Sequence, residues 1–179
     1  MRLHRYVKEE NIDLAFDPLG TFADPDAERE DPEDMPQFRR FEEEKVPVLK
    51  KLVELLEPSG RITNPKKCLT DLRNREAKAT TALGLGIAMP HVRTPQAKDF
   101  AFGVAITPSP GIWFDAVDDE PVRIFFPMVA PNYKDKYYRK VEKALAEALL
   151  DEEDNLRDAL LEAKTKGEVI HALARLIDL

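Results

Sequence analysis

Between Arg75 and His91 the chain reads REAKATTALGLGIAMPH, and the residue types in that run could carry out group transfer. Neutral imidazole near pH 7 is a nucleophile that can accept a group and pass it on, dividing one difficult transfer into two easier ones. A phosphoryl group on such a ring needs its negative charge stabilised by a fixed guanidinium, by hydroxyls or by unpaired backbone N–H groups. Arg75, Thr80, Thr81 and the Gly84-Leu85-Gly86 backbone are the candidates for those roles. Pro90 fixes its own φ and biases Met89 toward extended backbone, which predicts that the chain reaches His91 from a strand end. Taken locally, the run leaves alternatives open. Gly-x-Gly without a third glycine is a weak phosphate signal, a histidine at a strand end can be structural, and Arg75 can be a surface charge.

The flanking elements would hold these residues in place. Val46, Leu49, Leu52, Val53 and Leu56 recur at helical spacing until Pro58 and Gly60. Asn64-Pro65 reads as an N-cap followed by proline at the first helical position, starting a helix that places Arg75 near its C-terminus, where the dipole favours a cation. Cys68 lies in that helix among Leu69 and Leu72 and reads as a small core residue.

An opening strand with an irregular start is expected over Leu3–Phe16. Two more strands are expected after His91. In one, Phe100, Phe102, Val104 and Ile106 alternate with small residues, which suits a strand under helices on its bulky face. In the other, Val122, Ile124, Phe126 and Met128 alternate with Arg123, Phe125, Pro127 and Val129. Pro127 cannot donate to a ladder, so it should sit at an edge or bulge. Trp113 and Phe114 lie between these strands and read as core, with Trp113 a second candidate for a partner surface.

The last third reads as helical. Val141, Ala144, Leu145, Ala148 and Leu149 share one face. The acidic run 151–154 suits the start of a helix over 156–163. Thr165 and Glu168 form a capping-box pattern before a final helix. About residues 20–43, proline and acidic residues predominate and hydrophobicity is low, which predicts an insertion without regular structure. The fold class expected is α/β, one domain over residues 1–179 with a small mixed sheet flanked by helices.

Composition excludes several functions. A formal charge of −7 over 179 residues argues against general nucleic-acid binding, which depends on Lys and Arg neutralising phosphates. The single cysteine excludes an internal disulfide and fits a reducing compartment. No apolar segment is long enough to span a bilayer and no secretory h-region is present, so the chain is expected in the cytoplasm. Three scattered histidines, with His4 and His171 far from His91, give no metal-binding cluster, and no Walker motif is present to bind ATP. Neither a cofactor nor a metal is expected.

Arg75-Glu76, Thr80-Thr81 and Gly84-x-Gly86-Ile87-Ala88-Met89-Pro90-His91 together resemble the active-site signature of a known family. It is enzyme IIA of the fructose/mannitol class of the phosphoenolpyruvate-dependent sugar phosphotransferase system (PTS), including its nitrogen-regulatory branch. The similarity extends to Glu10-Asn11-Ile12, Ser59-Gly60-Arg61-Ile62-Thr63, Gly111-Ile112-x-Phe114, Ala130-Pro131 and the closing helices. It covers nearly the whole chain apart from about residues 20–43. It implies the family's α/β architecture. It also implies that His91 takes a phosphoryl group from the phosphorylated histidine phosphocarrier protein, with Arg75 stabilising it, and hands it to a IIB domain.

Many members carry a second histidine after the Ala-Pro pair, and counting places that position on Tyr137; a shift of one residue would give Tyr138 or Lys136. A tyrosine hydroxyl can hydrogen-bond but does not become cationic at neutral pH. Two functions follow from the resemblance. One is phosphoryl carriage to a IIB domain for sugar uptake. The other is a regulatory module in which the phosphorylation state of His91 governs binding to protein targets.

Overall fold

The computed structural model describes residues 3–133, 135–151 and 155–177, with no side chain described at positions 4 and 135–137. The opening segment is mostly turns. Leu3–Arg5 and Glu9–Asn11 are single 3₁₀ turns, and only Ile12–Asp13 (β1) is strand. This shortens the strand expected over Leu3–Phe16, and the cause is local. The buried Asn11 accepts from Lys8 N–H at 3.4 Å and donates to Leu55 O at 3.1 Å, so its side chain holds the backbone in a turn.

Between residues 20 and 36 the chain is mostly turns and bends, with a 3₁₀ turn at Pro32–Asp34 capped by Asp31. Helix starts earlier than the hydrophobic periodicity indicates. Gln37–Arg40 (α1) continues through a π-helical turn, Phe41–Lys45, into Val46–Leu56 (α2). Pro47 lacks an N–H and its ring would crowd the carbonyl four residues back, and the wider π turn before it makes room. Arg29 anchors the preceding segment by donating to both oxygens of the buried Glu44, at 3.0 and 3.1 Å.

Pro65–Lys78 (α3) follows the cap expected of it, with the Asn64 side chain accepting from Lys67 N–H at 3.0 Å. Cys68 is fully buried, and burial, reinforced by the neighbouring Asp71, pushes its thiol up to about 12.

The remaining strands are Ala82–Gly84 (β2), Ile87–Ala88 (β3), His91–Arg93 (β4), Ala101–Phe102 (β5), Val104–Ile106 (β6), Ile124–Phe125 (β7) and Met128–Ala130 (β8). They form two small mixed sheets, one in the order β1-β6-β7-β3-β2 and the other β4-β8-β5. Each of the two long strands read from the sequence is therefore split between sheets. One breaks at Gly103, the other at Phe126-Pro127.

The breaks coincide because they are bonded to each other. Pro127 has no N–H to give, while its carbonyl accepts from Gly103 N–H at 3.2 Å. A Cβ on Gly103 would lie 2.8 Å from Asn11 O and 3.0 Å from a Leu56 methyl, so only glycine lets the backbones approach this closely.

Side-chain alternation continues through the breaks, and it sorts the core into two. Phe100, Phe102, Val104, Ile106, Ile124, Phe126 and Met128 face one core with helices Asp135–Leu150 (α4), Leu156–Glu162 (α5) and Lys166–Leu176 (α6). Ala101, Ala105, Phe125 and Val129 face the other with α2 and α3. The small-residue face is therefore covered as fully as the bulky one. Phe114 belongs to this second core, and the half-buried Trp113 stacks under the Arg40 guanidinium at 5.1 Å.

At the last helix Thr165 accepts from Glu168 N–H, and Glu168 accepts from Lys164 N–H one residue before the box position. In the acidic run 151–154, positions 152–154 lie outside the described residues. Among the described residues no helix is long and apolar enough to cross a membrane.

Gly103→Ala should destabilise the fold by about 1–3 kcal/mol, because one contact of the added methyl is backbone. Urea denaturation measures this, and an unchanged midpoint would show that the close approach at Gly103 is not tight.

Candidate active site around His91

His91 is the first residue of β4. The run Ile87–Arg93 lies parallel to Ile124–Ala130 along its length, as β3 on β7 and then β4 on β8. Between the paired segments, Phe126 N–H donates to Ala88 O and Met128 N–H donates to Pro90 O, each at 2.9 Å. Pro90 and Pro127 thus fall at the same switch between sheets, and the imidazole is delivered at a point fixed by backbone bonds on either side.

The ring is oriented by one short contact: Nδ1 lies 2.7 Å from Met89 O. A carbonyl only accepts, so Nδ1 carries the proton and the neutral ring presents its lone pair at Nε2. The side chain is 16% exposed. Burial holds the ring's pKa below the ordinary histidine value. The Met89 carbonyl opposes that shift, Arg75 adds to it, and Glu142 and Glu76 oppose it. The site therefore favours the nucleophilic, uncharged form.

Around the ring opens a cavity of about 760 Å³. One face of α3 supplies Asp71, Asn74, Arg75 and Lys78 at helical spacing, β4 supplies Arg93 two residues beyond His91, and α4 supplies Tyr138, Arg139 and Glu142. Among the described residues, four cations against two carboxylates line this hollow in a protein of net charge −7. Such a lining suits a doubly charged anion beside the imidazole. Asp71 also secures the end of β4 by accepting from the buried Thr94 hydroxyl at 2.5 Å.

The aromatic ring against His91 is Tyr138, with centroids 5.1 Å apart and planes at 55°. Tyr137 falls in the first turn of α4, and its side chain, like that of Lys136, lies outside the described residues. The Tyr138 hydroxyl donates to Glu142 Oε1 at 2.9 Å, and burial followed by the Glu142 charge raises its pKa, so it stays protonated. Glu142 Oε1 in turn lies 3.9 Å from His91 Nδ1.

Arg75 shares this cavity with His91 and also donates to Ala79 O at 3.0 Å. Thr80 and Thr81 do not line the cavity; they belong to a buried network behind it. Glu76, fully buried, accepts from Lys45 Nζ at 2.7 Å, Thr81 N–H at 3.0 Å and Thr81 Oγ1 at 2.6 Å. Lys45, also buried, donates to Thr80 Oγ1 at 3.1 Å and sits 4.6 Å from the Phe114 ring centroid.

The Gly84-Leu85-Gly86 backbone is likewise not at His91. It forms the turn between β2 and β3, with φ of 92°, 57° and 73°, and is tied down by Asp118 accepting from Leu85 N–H and Arg157 donating to Leu85 O. These glycines supply turn geometry, not a phosphate cradle.

Further residues of the cavity are legible in part from the sequence. Asp71, Asn74 and Lys78 follow from Arg75 by helical spacing, and Arg93 follows from His91 by strand alternation. Arg139, Glu142 and Lys45 needed the tertiary fold.

A model of the family described as phosphoenolpyruvate-dependent sugar phosphotransferase system, EIIA 2, matches residues 39–176. The chain belongs to this family. The PTS system fructose-specific EIIA component of Haloferax volcanii is 32% identical to it over 127 residues, spanning 71% of this chain and 80% of that protein. Two larger EIIABC relatives are matched over 20% and 18% of their own length.

Two solved structures share the EIIA fold. The nitrogen regulatory protein IIA-Ntr from Neisseria meningitidis has a TM-score of 0.74 at 20% identity, covering 97% of this chain and 99% of that one. The mannitol IIA of Escherichia coli, solved in complex with phosphorylated mannitol IIB, has a TM-score of 0.65 at 22% identity, covering 94% and 96%.

Two outcomes follow for this EIIA. Lys45→Met or Glu76→Gln alone should cost about 3–5 kcal/mol in urea denaturation, by stranding a buried charge or its partners, while Lys45→Met with Glu76→Leu should recover most of it. Additive losses in the double variant would contradict this. The His91 ring should titrate below pH 6.5 by NMR. Because the unfolded chain then binds more protons than the folded one below pH 6.5, His91's contribution to stability is intact above that pH and declines as pH falls toward the folded midpoint. A midpoint at or above 6.5 would contradict burial as the dominant influence.

Proposed function

We propose that His91 is the phosphoryl carrier of this EIIA. It accepts the group at Nε2 from the phosphorylated histidine phosphocarrier protein and passes it to a IIB domain, in the cytoplasm, with residues 1–179 acting as one phosphocarrier domain. The observation that carries this reading is the tautomer. Met89 O holds the proton on Nδ1 and leaves Nε2 as the lone pair beside a cation-lined cavity.

In the step, the Nε2 lone pair forms a bond to phosphorus while the bond from phosphorus to the donor's ring nitrogen breaks, its electron pair returning to that nitrogen. Arg75 stabilises the transferred oxygens, with Lys78 on the same helix face. Thr80 and Thr81 support the site indirectly, by holding Glu76 and Lys45 so that the end of α3 keeps Arg75 at the cavity. The complex of mannitol IIA with phosphorylated IIB is the precedent for the acceptor.

A second reading makes EIIA a regulatory module whose phosphorylation state is read by protein targets. It draws on one observation: among the described residues, the cavity pairs His91 with Tyr138 and no second imidazole.

The test is incubation with phosphoenolpyruvate, enzyme I and the histidine phosphocarrier, followed by intact mass. Wild type should gain one phosphate and His91→Ala none; equal gain in both would overturn the assignment. Arg75→Ala should still be phosphorylated but more slowly, losing roughly 1.5–3 kcal/mol or about ten- to a hundredfold in rate. A normal rate would remove Arg75 from the mechanism.

A further inference from the structure

We propose that Glu142, held by Tyr138, is the positioning residue that keeps a proton on Nδ1 of His91 while Nε2 carries the phosphoryl group, and that this proton makes the phosphorylated ring a donor. The proposal rests on the reading of His91 as phosphoryl carrier.

The geometry is a three-residue chain. Tyr138 and Glu142 stand one turn apart on α4, the tyrosine hydroxyl donates to Glu142 Oε1 at 2.9 Å, and the same oxygen lies 3.9 Å from Nδ1. The Tyr138 ring walls the imidazole at 5.1 Å, so one residue fixes both the carboxylate and the ring it faces.

The chemistry calls for such a group. When neutral imidazole attacks phosphorus through Nε2 and retains its Nδ1 proton, the ring acquires a positive charge. The Met89 carbonyl offers a dipole at 2.7 Å, whereas Glu142 offers a full negative charge beside the same nitrogen.

The surroundings pull both ways. Arg75 and Lys78 from α3, Arg93 from β4 and Arg139 from α4 oppose a cationic ring, while Asp71 lines the same cavity and Glu76 acts on the ring from behind it. Of these carboxylates, Glu76 is committed to Lys45 and Thr81, and Asp71 accepts from the Thr94 hydroxyl. Glu142 is the one bonded through a group that itself packs on the imidazole.

The proton matters in the second half of the cycle. If Nδ1 is protonated, His91 leaves phosphorus as neutral imidazole. If that proton has been lost, it must leave as imidazolate, a far poorer leaving group. Glu142 therefore acts on release of the group more than on its capture. It would do for this EIIA what a second cation at the ring could not, because a cation there would drive the Nδ1 proton off.

The experiment uses the whole protein, phosphorylated by phosphoenolpyruvate, enzyme I and the histidine phosphocarrier. NMR of the His91 ring nitrogens gives the ring's titration midpoint, at Nε2 before phosphorylation and at Nδ1 after it, and the return of phosphate to unphosphorylated carrier protein is timed across pH. Glu142→Gln, nearly isosteric and at a half-exposed position, should lower both midpoints by about one pH unit and slow the return about tenfold above the midpoint. Glu142→Asp should retain most of the wild-type profile, and Tyr138→Phe should shift it in the same direction by less.

Wild-type midpoints in a Glu142→Gln protein that takes phosphate normally would overturn the role of Glu142, and an unshifted Tyr138→Phe would remove Tyr138 from it. A wild-type protein that takes no phosphate would instead overturn the carrier reading itself, while the titration of the unphosphorylated ring still shows whether Glu142 stabilises the cationic imidazole.

Discussion

Glu76 is buried next in sequence to the arginine that faces the cavity, and a buried carboxylate is tolerable only when it is fully bonded. Lys45, Thr81 N–H and the Thr81 hydroxyl meet that need together. Successive residues on a helix point about 100° apart, so fixing Glu76 inward fixes the direction in which Arg75 leaves the last turn of α3. The same bonds bring three pieces of chain to one point: the end of α3, the strand that begins the histidine segment, and the π turn before α2. Charged residues at the centre are an expensive way to join them. Their value is directional, because a hydrocarbon contact would hold the pieces together without setting an angle.

Electrostatics at His91 are a balance between competing effects. Burial and the guanidinium of Arg75 keep the ring neutral and able to attack, while the Met89 carbonyl and two glutamates keep a cationic ring within reach. A carrier has to capture a group and then release it, and a site tuned entirely to either step would fail at the other. Among the described residues, the mixture of four cations and two carboxylates around one cavity suits the double requirement of the proposed carrier.

Much of the fold was legible because local chemistry and tertiary structure agree. The Asn64-Pro65 start, the Thr165 cap and the apolar face of α4 are written in short-range pattern and are found where pattern puts them. The strand breaks were not legible as breaks. Alternation persists through Gly103 and Pro127, and only the approach of Asn11 and Leu56 shows why the chain changes sheets there. At the site, Pro90 marked the setting of His91, while Thr80, Thr81 and the glycine turn were misleading for a common reason. Hydroxyls and glycines beside a nucleophile are read as ligand contacts, whereas here they serve a buried carboxylate and a tight turn. Lys45 lies thirty-one residues before its partner Glu76, and no sequence rule joins them.

The bond from Nδ1 to the Met89 carbonyl would also determine which phosphohistidine isomer forms if His91 acts as proposed. With Nδ1 committed, the nitrogen open to an electrophile is Nε2, so phosphorylation would yield the τ isomer of phosphohistidine and not the π isomer. The two differ in their recognition by isomer-selective antibodies and in acid lability. In the proposed role, the identity of the modified nitrogen would be set by the backbone two residues before the histidine.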